Sequence, residues 1–404
     1  MGQSREGQPK PALLLFVAVC VIAANMRATI TGIGPLLDQI GDDLGIGSAA
    51  LGLLAAVPLI AWALVSPLAH DLSQRFGHSR VVLWSLLLLT AGTIWRSAAG
   101  PAINLWLGTV LIGVALAIAN VLMPAVIKRD FGARVPAVMA VYTALLGGVG
   151  AIASGMVVPV SHLEADGGEL GWRPALLATG ILLPFAIALW AWTMRGAHTD
   201  AAARARGTTR RPPTGIWRDG LAWQVAAYMG LQAASFYMLV TWLAPISTSI
   251  GRSEVVAGVD VMFFQITGVI GSLLVPVVLR GRLRRWVPAL LPSLAIIGAL
   301  GLILAPAGVF AWACLAGLSA GASLGMSLTL MAERARDHHT AVALSGMSQS
   351  VGYVIAALGP IAFGALHTLT GDWTAPLLLL VLVLLGQGVI GALVGRERFV
   401  LHRR

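Results

Sequence analysis

Between Arg195 and Asp219 the chain reads RGAHTDAAARARGTTRRPPTGIWRD. This stretch is polar, basic and broken by Pro212 and Pro213, the composition of a linker rather than of a packed helix. What lies on either side differs in kind. Of 404 residues, 57% are hydrophobic and 11% charged, and the mean hydropathy is +0.84; that leaves too little polar surface for a soluble globule. Apolar runs of about 20 residues or more recur, enough for helices across a hydrocarbon core of roughly 30 Å, and none alternates as an outer-membrane strand would. Six runs precede the linker, at 12–40, 48–70, 81–99, 103–127, 136–160 and 173–194. Six follow it, at 221–249, 255–279, 287–306, 309–332, 340–366 and 374–395.

The net charge of +10 would suit a nucleic-acid-binding protein, but its distribution points to a membrane and away from nucleic acid. With the N-terminus placed inside, the inner segments carry 23 of the 27 Lys and Arg residues. Only Arg27, Arg96, Arg173 and Arg252 fall elsewhere, the last three at outer ends or outer loops. The positive-inside rule then sets both termini in the cytoplasm and calls for an even number of crossings. The opening MGQSREGQPK runs into the first apolar segment with no small-residue cleavage site, so no removable signal peptide is expected. Cys20 and Cys314 fall within predicted helices and read as small core side chains. The histidines show no metal-ligand spacing, and neither a metal nor another cofactor is expected.

The two halves carry traces of a common frame. PLLDQIG (Pro35 to Gly41) aligns with PISTSIG (Pro245 to Gly251), which sets Arg27 opposite Tyr237, and LIGVALA (Leu111 to Ala117) aligns with LAGLSAG (Leu315 to Gly321). These matches pair span one with span seven and span four with span ten. Six plus six around a long inner loop is the layout of an all-α integral membrane protein, with twelve transmembrane helices in two pseudo-symmetric six-helix bundles: the major facilitator fold. The expected boundaries are 1–195 for the first bundle, 196–220 for the basic cytoplasmic linker and 221–404 for the second bundle with a short tail.

Arg27 lies deep inside span one. An arginine near the bilayer centre costs about 2.5–3.5 kcal/mol on insertion scales, so it is rarely there without a partner or a ligand. Some fifteen residues into the span, it falls about 22 Å from the inner end of a tilted helix, just past the middle. Its planar fork of donors suits an anion or a flat polar acceptor, and Thr31 shares its face. The competing reading is a permanent partner, either a carboxylate or helix carbonyls of a neighbouring span. Few carboxylates lie within spans: Asp38 near the outer end of span one, and Asp260 a short way into span eight. Three readings of Asp260 stand, as a counter-ion, a proton-coupling site or an outer-end polar residue; a desolvated carboxylate can load a proton.

NMRATITGIGPLL (Asn25 to Leu37) resembles the signature of the cyanate and 2-nitroimidazole transporter family within the major facilitator superfamily. So do NVLMPAVIKRDF (Asn120 to Phe131), GWR (Gly171 to Arg173), GLQAASFYMLVTWLAPI (Gly230 to Ile246), GSLLVP (Gly271 to Pro276) and LSGMSQSVGYVIAALGP (Leu344 to Pro360). Together they touch nearly every span. The chain departs from the family's pattern at Ala28, where a proline is usual and where helix one is expected to run straighter, at Ser319 and Ala320, and in the loop HDLSQRFGHSR (His70 to Arg80). A monomer in the bacterial cytoplasmic (inner) membrane is expected, and the resemblance implies that spans one, four, seven and ten line a substrate cavity near the midplane.

Other polar groups fall within the spans: Asn120, Tyr142, Gln232, Tyr237, Gln265, Gln349 and Tyr353. Amides and phenols orient a small polar ligand without adding charge, and Trp242 or Phe236 suits stacking on a planar one. Each alone is more often an interhelical hydrogen bond, worth about 0.6 kcal/mol. Small residues crowd span five (GGVGAIASG, Gly147 to Gly155) and span eleven (GYVIAALGP, Gly352 to Pro360). They read either as rocking surfaces or as static close packing.

The expected function is secondary transport of a small anionic or planar polar solute, such as a cyanate-like anion or a nitroimidazole-like compound. The route is alternating access, with proton coupling left open. A drug or metabolite efflux facilitator is the alternative, and a transporter-like membrane sensor the second. No Walker-type loop is seen, and no enzyme is expected, since neither a paired acid, base or nucleophile within the spans nor a soluble catalytic domain is visible.

Overall fold

In a bilayer every backbone N–H and C=O needs a partner, so lipid-facing apolar runs of this length close into helices. The computed structural model describes residues 12–165, 168–194, 215–281 and 283–401. The first half holds α1 (Ala12–Thr31), a 3-10 turn (Gly34–Leu36), α2 (Leu37–Leu44), α3 (Ser48–Phe76), α4 (His78–Ser97), α5 (Ile103–Asp130), α6 (Val135–Ser161), α7 (Trp172–Ala178) and α8 (Leu183–Met194). A small hairpin of β1 (Glu164–Ala165) and β2 (Gly168–Glu169) separates α6 from α7. The second half holds α9 (Gly220–Ser249), α10 (Glu254–Val278), α11 (Val287–Leu304), α12 (Val309–Glu333), α13 (His338–Thr370) and α14 (Thr374–Val394).

Most of the linker, residues 195–214, lies outside the described residues, as do 1–11 and 402–404. Where the chain re-enters, Asp219 caps α9 by accepting from the Leu221 and Ala222 N–H groups at 2.8 and 3.0 Å, and its other oxygen takes the Leu401 N–H at 2.7 Å. That carboxylate therefore pins the start of α9 to the C-terminal tail.

Among the described residues, eleven helical segments are long and apolar enough to cross a membrane. The twelfth expected span is α4, a helix of 20 residues whose hydropathy is diluted by His78, Arg80 and Arg96. Span one is α1 and α2 joined by the 3-10 turn, and span six is α7 and α8 joined by a turn. The surface is inverted relative to a soluble protein, with Leu273, Leu304 and Leu369 between 70% and 81% exposed, as a lipid-facing wall requires.

Within the first half α1 packs on α6, and α5 on α3 and α4; within the second, α9 packs on α13 and α10 on α12. The halves meet along two long seams, α3 against α13 and α6 against α10. The small-residue stretches of spans five and eleven lie on these helices. A Cβ added at Gly147 or Gly155 would meet Val269 or Met262 of α10. Successive connections alternate between two faces, a basic face carrying the Lys and Arg of residues 75–80, 128–134, 280–285 and 334–336, and a far face.

Candidate functional site

Between the halves lies a cavity of about 290 Å³, lined from α1, α3, α5 and α6 on one side and α9, α10, α12 and α13 on the other. Among the described residues, Arg27 is the only charged one in its lining. The Arg27 stem crosses α6 at Gly150, where an added Cβ would come 2.7 Å from Arg27 Cγ; glycine is what lets the side chain through. Its guanidinium carbon then sits 5.2 Å from the centre of the Phe236 ring, a cation–π contact. Among the described residues no carboxylate pairs with it.

An aromatic wall faces this charge. Trp62 meets Tyr353 edge-on at 5.1 Å and Tyr237 at 6.4 Å, while Phe236 meets Tyr237 edge-on at 5.1 Å and stacks on Phe264 at 5.6 Å. Such contacts hold the rings in fixed orientations. The polar groups between them are weakly committed. Tyr142 Oη donates to Met26 Sδ at 3.4 Å and Gln232 Nε2 to Met229 Sδ at 3.2 Å, and thioether sulfur is a weak acceptor that a ligand oxygen easily outcompetes. Gln349 Nε2 donates to Ser345 Oγ at 2.9 Å and Gln265 Nε2 to Ser154 Oγ at 2.7 Å, bonds that use the amide nitrogen and not the carbonyl oxygen.

Of the residues singled out from the sequence, Arg27, Asn120, Tyr142, Gln232, Tyr237, Gln265, Gln349 and Tyr353 line this one cavity. Thr31, Trp242 and Asp260 do not. Thr31 turns its hydroxyl to the Gly150 carbonyl at 2.9 Å. Trp242 donates Nε1 to the Pro360 carbonyl at 3.2 Å and stacks on Phe363, so it belongs to the seam between α9 and α13. Asp260 is fully buried nearer the far face, accepting from Ser247 Oγ at 2.7 Å and from Arg252 Nη2 at 3.0 Å. Its counter-ion is Arg252. Trp62 and Thr143 line the cavity as well and were not foreseen; a tryptophan in an apolar span carries no mark distinguishing it from a lipid-facing one such as Trp192, 67% exposed.

Just beyond Arg27 span one comes apart. Pro35 has no N–H to offer the Thr31 carbonyl, and its ring crowds that carbonyl. The Ile33 N–H bends to Ile30 O at 3.3 Å rather than reaching Thr29 O. Helix α1 therefore ends at Thr31, and its freed carbonyls are met by side chains: Thr29 O by Arg96 Nη1 at 2.7 Å and Thr31 O by Ser154 Oγ at 2.9 Å. Helix α1 runs unbroken through Ala28; the interruption comes one turn later.

On the far face the halves are tied across. Gln39 donates to Glu254, Thr248 Oγ1 to Asp38 Oδ2 at 2.9 Å, and Ser48 Oγ lies 3.0 Å from His367 Nδ1. His162, just past α6, bridges Glu169 at 3.0 Å and Glu254 at 3.2 Å through its two ring nitrogens. Burial alone would lower its pKa, but the hydrogen bonds and charge of Glu169 and Glu254 prevail and hold it above the usual histidine value. The backbone of Gly34 meets α9 so closely that an added Cβ would fall on the Val240 carbonyl oxygen. These contacts hold the two halves against each other on this side of the cavity.

Comparison with known proteins agrees with this fold. Residues 15–360 match the Major Facilitator Superfamily. The chain is 37% identical to the 2-nitroimidazole transporter of Escherichia coli K12, over 96% of this chain and 97% of that protein. It is 30% identical to the cyanate transport protein CynX of the same organism, over 89% and 91%. Among solved structures, a bacterial homologue of the human lysosomal transporter Spinster superposes with a TM-score of 0.81 at 15% identity, over 96% of this chain and 98% of that one; at that identity the likeness is one of fold. These relatives are transporters rather than enzymes, and the chain belongs to the major facilitator superfamily, in the family of the 2-nitroimidazole and cyanate transporters.

Proposed function

We propose that this protein is a secondary active transporter of the cytoplasmic membrane whose solute is a small anion, or a planar polar molecule with an acceptor edge, held at Arg27. One observation carries the reading: a guanidinium with no carboxylate partner among the described residues projects into a cavity between the two halves whose other described lining residues are uncharged and in part aromatic. A lone buried cation in low dielectric is stabilised by an incoming anion and repels a cationic ligand. The fork of Arg27 supplies paired donors, Tyr237, Tyr353 and the amides of Asn120 and Gln232 offer further hydrogen bonds, and Trp62 or Phe236 covers a flat face. The solutes for which the two relatives are named, 2-nitroimidazole, a planar nitro-heterocycle, and cyanate, a small linear anion, fit the same pair of requirements.

Alternating access follows as the mechanism. The bundles 1–195 and 221–404, joined by the basic linker 196–220, rock about the α3–α13 and α6–α10 seams. The far-face ties represent the closed outer gate of a state open toward the basic, cytoplasmic face, on which both termini lie. Asp260, held by Arg252 and Ser247 away from the cavity, fits an anchor of that gate better than a proton carrier.

The test is a thermal-shift screen of purified protein with cyanate, 2-nitroimidazole, small carboxylates and lipophilic cations, run beside Arg27→Gln and Arg27→Lys. A ligand of the native state raises the melting temperature. Stabilisation of the wild type alone by an anionic or planar polar compound, followed by saturable counterflow of that compound in proteoliposomes, supports the reading. Stabilisation by bulky cations alone overturns it in favour of a drug-efflux facilitator, and binding without flux points to a sensor.

A further inference from the structure

Arg96 is buried to 1% exposure in the first half, although its place near the end of α4 suggested an outer-surface residue. It has one hydrogen bond, from Nη1 to the Thr29 carbonyl at 2.7 Å. Nε and Nη2 have no partner, and no carboxylate pairs with it among the described residues. A charge held in the membrane with so little compensation is costly, so its one bond is where its use should be sought.

That bond lands on the interruption of span one. Thr29 O is a carbonyl that α1 cannot satisfy, because the Ile33 N–H has turned to Ile30. An unpaired carbonyl in the hydrocarbon region draws the backbone back toward regular helix or toward any donor within reach. Arg96 supplies the donor from one side, and Ser154 does the same for Thr31 O from the other. Arg96 is itself well founded: α5 packs so closely on α4 that a Cβ at Gly108 would overlap the Arg96 backbone and Cβ. The end of α1 is therefore clamped between α4 and α6, two residues beyond Arg27 and within a turn of it.

We propose that Arg96 is a positioning residue for the transport site: its single hydrogen bond to Thr29 O holds the interrupted end of α1 so that Arg27 projects over Gly150 into the cavity. This rests on the reading of Arg27 as the solute-binding residue. The same piece of chain carries Gly34, Asp38 and Gln39 to the far-face gate, so the clamp also sets where the gate half of span one begins. Because one donor is used, a lysine at position 96 should serve; an ammonium, with three N–H groups, or a neutral amine, with two, can supply the one that is needed. Position 27, which the reading above requires to use its planar fork, should not tolerate the same exchange.

The experiment uses the full-length protein in lipid nanodiscs. Amide hydrogen exchange is followed by mass spectrometry in wild type, Arg96→Leu and Arg96→Lys, alongside thermal-shift affinities for 2-nitroimidazole and cyanate. The expected result for Arg96→Leu is exchange faster by on the order of tenfold, confined to Ile30–Leu36, with α4 and α5 unchanged. The affinity for whichever probe binds the wild type falls in parallel, and Arg96→Lys restores both. Exchange at Ile30–Leu36 unchanged in a folded Arg96→Leu protein overturns the proposal. So does a rise spread evenly over α4, α5 and α6 that lysine fails to reverse, which would make Arg96 a packing element only. Should neither probe bind the wild type, the choice of solute fails while the exchange comparison still decides the clamp.

Discussion

Spans one and seven face each other across the cavity, start from the same sequence frame and end differently. Pro35 and Pro245 occupy matching places, each followed six residues later by a glycine, Gly41 and Gly251. Yet α9 runs unbroken from Gly220 to Ser249 through its proline, whereas α1 stops at Thr31 and helix resumes only at Leu37. The residues just before the prolines make the difference. Span one has Gly32 and Gly34 where span seven has Trp242 and Ala244. A proline frees one carbonyl and leaves a helix bent but continuous when its neighbours favour helix; two glycines lower the cost of unwinding and let the backbone leave the cylinder. The two events are linked in space. Gly34 packs onto the carbonyls of Val240 and Thr241, and Thr241 O is the one that Pro245 leaves without its helical donor.

Breaking the comparison at the cavity should give the largest effect. Arg27→Gln removes charge-assisted hydrogen bonds worth about 1.5–3 kcal/mol, whereas Tyr237→Phe at the matching place removes a neutral one worth about 0.5–1.5 kcal/mol. Solute affinity, read by thermal shift or counterflow, is expected to fall roughly ten- to hundredfold for the first and a few-fold for the second. Equal losses would deny Arg27 its special place.

The interruption itself is the next target. Gly34→Ala forces a methyl against the Val240 carbonyl and should destabilise the closed far face by about 1–3 kcal/mol, the usual range for overpacking. The matching change, Ala244→Gly in a continuous helix, should cost only about 0.5–1 kcal/mol. Thermal unfolding ranks the two, and labelling of a cysteine placed at Asp38 tells whether the gate has opened.

The smallest effect concerns His162, which ties α6 to α10 beside this gate. Its folded pKa lies above the unfolded value, so its contribution is fully present below the unfolded pKa and is lost as pH rises through the folded one. Partial exposure keeps the contribution modest. Far-face labelling should increase on passing from mildly acidic to mildly alkaline pH, and His162→Gln should flatten that dependence. A profile unchanged by the substitution would assign the titration to another group.

Much of this was open to a reader of the sequence, for reasons that differ by residue. The spans were legible because lipid compatibility is a local property, summed over about 20 neighbours; α4 was the faintest because His78, Arg80 and Arg96 lie within it. Arg27 stood out because charge in a bilayer is expensive wherever it sits. Thr31 and Trp242 share spans with Arg27 and Tyr237 yet point into seams, since rotation about a helix axis is set by neighbours and not by the helix's own sequence. Arg96 gave the opposite difficulty: one residue from the end of its helix, it looks like a snorkelling cation until α1 and α5 are placed around it.

The sequence by itself determined twelve apolar spans in two sets of six, the family, and the one charge that needed explaining, because hydrophobicity, motif order and the cost of a buried arginine are properties of the chain alone. Only the tertiary structure decided which polar groups converge on one cavity, where span one breaks and who satisfies its freed carbonyls, and that Asp260 answers to Arg252 and not to Arg27. These depend on contacts between helices far apart in sequence, and a hydrogen bond such as Arg96 to Thr29 has no trace in the pattern of either partner.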